Sequence, residues 1–297
     1  MVSTPAVSLL VCTYEQPREL ALALAGLERQ TWRDWDLWIC DDGSGRATAG
    51  VVEECRGRLP IPVHHVWQEH RGFRRASILN TALRRASGRL IVFMDGDCIP
   101  HHRFLRDHVE SWEPRRYLAG RRVNLGEALS RSLTVEDVRQ GFFDRPRWRL
   151  LRSVLSGDTR HGHRAARIGS RTIRRLLGRW GKAGLVGSNF SVARDDLVAI
   201  NGFDEAFEGY GFEDTELELR LERRRLVPRA LRSIALQFHL WHPRRMDATA
   251  NAQRMALAVR STRTRCGLGI VHLAEADVLD SEGSGVTFPG DTQAPEA

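Results

Sequence analysis

Long apolar runs are missing from this chain. None reaches the ~20 residues that a helix needs to cross a bilayer, and residues 1–6 show no basic region followed by an apolar stretch, so no secretory leader is expected. Cysteine pairing is missing as well. The five cysteines are odd in number and irregularly spaced, with no CxxC, which speaks against a zinc site or a disulfide framework. Cys12, Cys40 and Cys98 fall in or beside apolar runs, where a thiol serves as a small buried hydrophobe. A reducing cytosol is the expected compartment. Lysine is nearly absent: among 45 basic side chains only Lys182 is not arginine.

What is present is enough apolar residue, 42% of 297, for a sizeable core, and a formal net charge of +8. That charge favours polyanionic partners such as phosphorylated substrates, anionic lipid or nucleic acid. Guanidinium groups suit bidentate phosphate contacts. Charge alone does not choose among these partners.

The first hundred residues alternate strand and helix patterns. Residues 7–13, 35–40, 61–67 and 89–94 read as strands, and 17–30, 47–56 and 74–86 as helices, with Pro17 opening the first. This rhythm predicts an α/β fold, a mostly parallel sheet with helices on both faces and ligands at the strand C-termini. Further on, helices are expected over 102–112, 194–200, 213–225 and 248–264, and strands over 117–124, 189–193 and 233–240. Residues 130–182 are poorly legible. Their many arginines interleave with Trp148, Leu150, Leu151, Ile173, Leu176, Leu177 and Trp180, which fits either a basic amphipathic surface on an anionic membrane or an Arg-rich insertion packed on the core. From Glu275 the chain turns acidic and small, as a disordered tail does.

Asp95-Gly96-Asp97 stands at the end of the fourth strand. Two like charges buried there are costly unless a cation neutralises them, and oxygen ligands suit Mg²⁺ or Mn²⁺, which would in turn hold a diphosphate. Taken alone, Asp-x-Asp is also ordinary turn chemistry. The other strand ends add Thr13-Tyr14-Glu15 and Asp41-Asp42. Tyr14 could stack on a nucleobase, and Asp42 could accept from a base N–H.

Glu213-Asp214 opens a helix behind Gly209-Tyr210-Gly211-Phe212. Carboxylates at a helix N-terminus are stabilised as anions, the glycines let backbone approach a ligand, and Tyr210 could stack on a sugar. His239 and His242 follow a strand with HxxH spacing, which is modest evidence for a metal by itself.

Val7–Tyr14, Gln30–Ser44, Gly72–Pro100 and Gly187–Leu221 together resemble the family-two glycosyltransferases of the GT-A fold, the last block with a galactosyltransferase-like acceptor region. The resemblance covers residues 7–125 and 183–265. It implies that Tyr14 and Asp42 hold the nucleobase with Thr13 and Glu15 alongside, and that Asp95 faces the ribose or metal shell. It implies further that Asp97 ligates the metal with His239 (His242 in reserve), and that Mn²⁺ suits this set better than Mg²⁺. Asp214 would be the general base, with Glu213 and Tyr210 on the sugar side. Many members carry Arg just before Asn80, where this chain has Leu79, so the diphosphate contact is expected to pass to Arg74 or Arg75.

The expected organisation is a nucleotide-sugar half (1–125), an Arg-rich insertion (126–182), an acceptor and catalytic half (183–270) and an acidic tail (271–297). The expected activity is inverting, metal-dependent transfer from a nucleotide-sugar donor, UDP by preference, to a glycan, lipid-linked or small-molecule acceptor. It would take place in the cytoplasm or peripherally on the inner membrane face. A nucleotidyltransferase is the rival enzyme, but Val7–Gln16 lacks its Gly-rich phosphate loop. A nucleic-acid-binding module would leave Asp95, Asp97 and Asp214 without a role.

Overall fold

The computed structural model describes residues 6–144, 148–178, 183–243, 249–271 and 279–280. Four parallel strands form the N-terminal half: Val7–Thr13 (β1), Trp35–Asp41 (β2), Val63–Trp67 (β3) and Leu90–Asp95 (β4), linked by helices Pro17–Glu28 (α1), Arg46–Arg58 (α2) and Arg75–Arg85 (α3). Cys98–Pro100 (β5), Phe104–Ser111 (α4), Arg116–Ala119 (β6) and Arg122–Asn124 (β7) follow. Four short helices then cross the middle of the chain: Glu127–Ser132 (α5), Val135–Arg139 (α6), Trp148–Leu155 (α7) and Arg171–Leu176 (α8). The last part comprises Asn189–Ala193 (β8), Arg194–Ala199 (α9), Glu213–Arg223 (α10), Val227–Ala230 (β9), Gln237–His239 (β10), Thr249–Arg260 (α11) and Leu279–Asp280 (β11).

The main sheet runs β11-β3-β2-β1-β4-β8-β6-β9. It is mostly parallel, with β8 antiparallel to both β4 and β6, and β11 antiparallel to β3. Both faces are covered, so the strands read as continuous apolar runs rather than alternating ones. Val7, Leu9 and Val11 of β1 pack with Leu20, Leu24 and Leu27 of α1 and Val52 of α2. Leu10 points the other way, into a second core with Ile78, Leu79 and Leu83 of α3, Phe190 of β8 and Leu217 of α10. The period-2 alternation of a strand thus feeds two cores. Truncating a fully buried leucine such as Leu10 to alanine would cost about 2–5 kcal/mol.

The expected strand over 117–124 is in fact two strands in two sheets. β6 stays in the main sheet, while β7 joins β5 and β10 in a second sheet ordered β5-β10-β7. The expected strand over 233–240 shortens to β10, because Ser233 and Ala235 adopt positive φ values of 64° and 46° that break an extended run. β9 was not apparent in the sequence.

The Arg-rich middle is partly core. Leu129, Leu133, Val138, Phe142, Phe143 and Leu150 pack against Leu22 and Ala25 of α1 and Phe238 of β10. Arg145, Arg147, Arg179, Trp180 and Lys182 lie outside the described residues, as does most of the expected tail. Among the described residues no helix is long and apolar enough to cross a membrane.

Candidate active site

Strand register lines up the carboxyl ends of β1, β2 and β4: Cys12 lies opposite Cys40 on one side and Asp95 on the other. An open cavity of about 1120 Å³ lies over these ends. Thr13, Tyr14, Asp42, Asp95, Asp97, Tyr210, Glu213, Asp214, His239 and His242 all line it, although they come from distant parts of the chain.

The metal-side residues are placed by the small sheet. β10 runs antiparallel to β5 with His239 opposite Cys98, one residue after Asp97. His239 Nε2 lies 3.4 Å and His242 Nε2 3.5 Å from Asp97 Oδ2. Both histidines therefore converge on Asp97, and the ligand atoms of the three residues lie within 4.8 Å of one another. Burial opposes ionisation of Asp97. The hydrogen bond from His239 and the positive fields of His239, His242 and Arg122 overcome it, and the carboxyl falls to about 2. One anionic oxygen ligand with two imidazoles is a donor set that fits a divalent transition metal better than an all-oxygen ion.

Asp95 is held by cations. Its Oδ1 accepts from Arg75 Nη2 at 3.1 Å, and Arg122 Nη1 lies 3.9 Å from Oδ2. Arg75 is buried, also donates to the Gly187 carbonyl at 2.8 Å, and faces Glu213 at 3.6 Å. Burial alone would lower its proton affinity, but the fields of Cys12, Asp95, Glu213 and Asp214 raise it. Three buried polar atoms on this wall lack a hydrogen-bond partner among the described residues: Thr13 Oγ1, Arg75 Nη1 and Glu213 Oε2. Such atoms are expensive in a closed core and are suited to a polar ligand.

Glu213 and Asp214 begin α10 after a turn whose Gly209, Gly211 and Phe212 all have positive φ, the glycines at no steric cost and Phe212 at +74°. Asp214 Oδ2 accepts from the Gly187 N–H at 2.9 Å and Oδ1 from the Thr215 N–H at 2.8 Å, which fixes the carboxylate against the cavity. Burial raises the Glu213 carboxyl, against the opposing charge of Arg75 and with the like charge of Asp214. Tyr210 is half-exposed and meets Phe73 edge-on, with ring centroids 6.2 Å apart.

At the far end the Tyr14 ring stacks on His70 at 4.1 Å. Asp42 is buried and binds Gln68 Nε2 at 2.6 Å and the Arg74 N–H at 2.8 Å. Burial raises its carboxyl, and these bonds oppose the shift.

Two expected donor contacts are placed elsewhere. The Arg74 guanidinium turns to the Glu69 carbonyl and is not among the cavity-lining groups, because α3 begins at Arg75 and carries that side chain inward instead. Glu15 is exposed and its Oε1 accepts from the Gly45 N–H at 2.7 Å, tying two loops together. Asn80 bonds the backbone of Phe203 on both its amide atoms and is likewise structural. Arg122, His70 and the cavity-lining Ser188, whose Oγ lies 3.4 Å from Arg122 Nη1, were not singled out from sequence. Each belongs to a short strand or loop whose position only the tertiary fold decides.

Residues 8–197 match glycosyl transferase family 2. The chain belongs to this family. Residues 169–242 of this glycosyltransferase also match the N-terminal domain of galactosyltransferase. It is 23% identical to a chondroitin synthase of Escherichia coli over 264 residues, covering 86% of the present chain and 37% of the relative, so it spans about a third of that protein's length. Among solved structures it resembles the mannosyltransferase PcManGT from Pyrobaculum calidifontis in complex with GDP-Man and Mn²⁺. The TM-score is 0.57 at 19% identity, over 88% of this chain and 66% of that one. It also resembles TarS 1–349 of S. aureus in complex with UDP, with a TM-score of 0.56 at 16% identity, over 90% and 68% of the two chains. At these identities the likeness establishes the GT-A fold.

Proposed function

We propose that this glycosyltransferase moves a sugar, with inversion, from a nucleoside diphosphate donor to an acceptor hydroxyl. The observation that carries the reading is a single cavity with Asp97, His239 and His242 on one wall and the anchored Asp214 carboxylate on another. Asp97, His239 and His242 would hold a divalent metal, Mn²⁺ in preference to Mg²⁺ because of the two imidazoles. When bound, such an ion supplies Lewis acidity to the leaving diphosphate. Tyr14 stacks on the base, taken to be uracil, and Asp42 accepts from its N–H. Arg75 and Arg122 face the diphosphate. Asp214 takes the proton from the acceptor hydroxyl as it attacks from the face opposite the leaving group. Glu213 and Tyr210 position sugar hydroxyls and the ring face.

The acceptor belongs to glycan or glycoconjugate synthesis. A lipid-borne acceptor is supported by α7, whose Trp148, Leu151 and Leu155 lie at i, i+3 and i+7 and are all exposed, with Arg152 over the Trp148 ring at 5.5 Å from its centroid. An apolar stripe with adjacent arginine matches an anionic membrane surface. Co-sedimentation with phosphatidylglycerol vesicles, but not with phosphatidylcholine vesicles, is the expected result.

A screen of nucleotide sugars for thermal stabilisation, with and without Mn²⁺, tests the main reading. Metal-dependent stabilisation by one nucleotide family and slow release of its nucleoside diphosphate are expected. Indifference to every nucleotide in the presence of Mn²⁺ and Mg²⁺ would overturn it.

A further inference from the structure

The cavity has a cationic rim that the donor-side chemistry does not use. The loop after α7 is pinned to the end of β7 by two backbone bonds: the Asn124 N–H to the Arg160 carbonyl at 3.1 Å and the Arg160 N–H to the Asn124 carbonyl at 2.8 Å. Arg122 and Arg160 both line the cavity. Arg164 follows in a 3₁₀ turn, Gly162–Arg164, and reaches the Arg122 carbonyl at 3.5 Å. His161 sits between them, 3.4 Å from the Asn124 amide. The rim is therefore a built surface anchored to the second sheet.

We propose that Arg160, His161 and Arg164, backed by Arg121, form a subsite for a phosphate group carried by the acceptor. The proposal rests on the glycosyltransferase reading and names the acceptor's chemical class. Positive charge accumulates here. Burial and then the Arg232 charge lower the proton affinity of Arg164. Burial, Arg164 and Arg232 do the same to Arg121, where Glu218 is the opposing acid. Burial and then Arg164, His163, Arg160 and Arg122 lower that of His161. Arg122 belongs to the donor centre instead: burial opposes its charge, and the fields of Cys98, Asp95, Asp97 and Tyr210 favour it and raise its proton affinity.

Mutually repelling guanidinium groups gain most when an anion enters among them. Donors arriving from several directions match the tetrahedral oxygens of a phosphate better than the plane of one carboxylate. The rim adjoins the Asp214 cavity, so a sugar whose phosphate is held here can present its hydroxyl to that carboxylate.

The test is calorimetry in EDTA, which keeps phosphate from binding through a metal. Wild-type protein should bind glucose 1-phosphate at least about 10-fold more tightly than glucose, as charge-assisted hydrogen bonds require. The Arg160→Ala/Arg164→Ala protein should lose that preference, and Arg164→Lys should keep part of it. Phosphatidylglycerol vesicles then identify the source: competition with glucose 1-phosphate assigns the phosphate to a lipid carrier, and absence of competition assigns it to a soluble sugar phosphate. Equal binding of glucose and its phosphate, or an undiminished preference in the double variant, would overturn the subsite. Stabilisation of wild-type protein by UDP with Mn²⁺ reports on the parent function separately, so failure of one is distinguishable from failure of the other.

Discussion

Asp97 and His239 come within 3.4 Å of each other because two three-residue strands from distant parts of the chain meet in register: Cys98 pairs with His239 across β5 and β10. The carboxylate leaves the main sheet at the end of β4, and the second sheet delivers the imidazole to it. His242, just past β10, closes on the same oxygen. On the proposed reading, removing any of the three acts through the metal. Asp97→Ala and His242→Ala are expected to weaken Mn²⁺-dependent nucleotide binding by at least about 10-fold, read by titrating Mn²⁺ against protein with saturating UDP. Unchanged Mn²⁺ dependence in His242→Ala would restrict the site to Asp97 and His239.

Asp214 is anchored by two backbone N–H groups, which fixes its geometry without blocking the cavity. Asp214→Asn should lower transfer by about 100- to 10,000-fold, the range that a general base contributes, while UDP affinity stays close to wild type. The amide can satisfy only one of the two N–H groups as an acceptor, so a loss of about 1 kcal/mol in stability accompanies it. Single-turnover transfer and a urea melt separate the two effects.

Much of this site was legible in advance because strand endings in a parallel sheet share one edge. An apolar run followed by Asp is enough to place Tyr14, Asp42, Asp95 and Asp97 there. Arg75 was harder: the sequence reading favours Arg74, with Arg75 as the alternative, and only the first turn of α3 decides which one points inward. Arg122 and the second sheet left almost no trace, since three strands of three residues from three distant segments carry too little periodicity to register. The helices between 126 and 176 were obscured for a related reason. With five to eight residues each, they are too short to display a repeat, and their arginines mask the leucines and phenylalanines that join the core.

His70 shares the Tyr14 ring face at 4.1 Å, and it was found only from the fold. A base entering here gains one or both aromatic surfaces. Tyr14→Ala should cost nucleotide binding about 1–3 kcal/mol, as loss of a stacking partner does, and His70→Ala should cost a similar or smaller amount. Uridine without its phosphates should be weakened by the same factor as UDP. A loss confined to UDP would place the defect at the diphosphate.

His108 is fully buried between Ser191 Oγ at 2.9 Å and Asn189 Oδ1 at 3.2 Å. Burial lowers its pKa to about 4, against the opposing Asn189 bond and Asp107 charge. The unfolded chain binds this proton near pH 6.5 and the native state only near 4, so native stability is full above 6.5 and falls as pH drops between the two. The loss attributable to His108 approaches about 3 kcal/mol by pH 4. Urea midpoints should fall steadily from pH 7 to 4.5, and His108→Gln should flatten that slope. A wild-type midpoint independent of pH in this window would show that the ring already carries its proton in the folded state.

Arg75 offers the sharpest separation of charge from geometry. Its Nη2 serves both Asp95 and the Gly187 carbonyl, while Nη1 faces Glu213. Arg75→Met keeps an unbranched apolar stem but leaves Asp95 with Arg122 alone and a buried Glu213 without its Arg75 cation, and breaking a buried pair from one side costs about 3 kcal/mol. Arg75→Lys restores a charge but not the fork, so one ammonium cannot reach all three partners. Lysine should therefore recover most of the lost stability and little of the UDP affinity, as measured by urea midpoint and calorimetry on the same samples. Equal recovery of both would mean that the site requires only a positive charge at this position, and that the planar contact to Gly187 has no part in holding the donor.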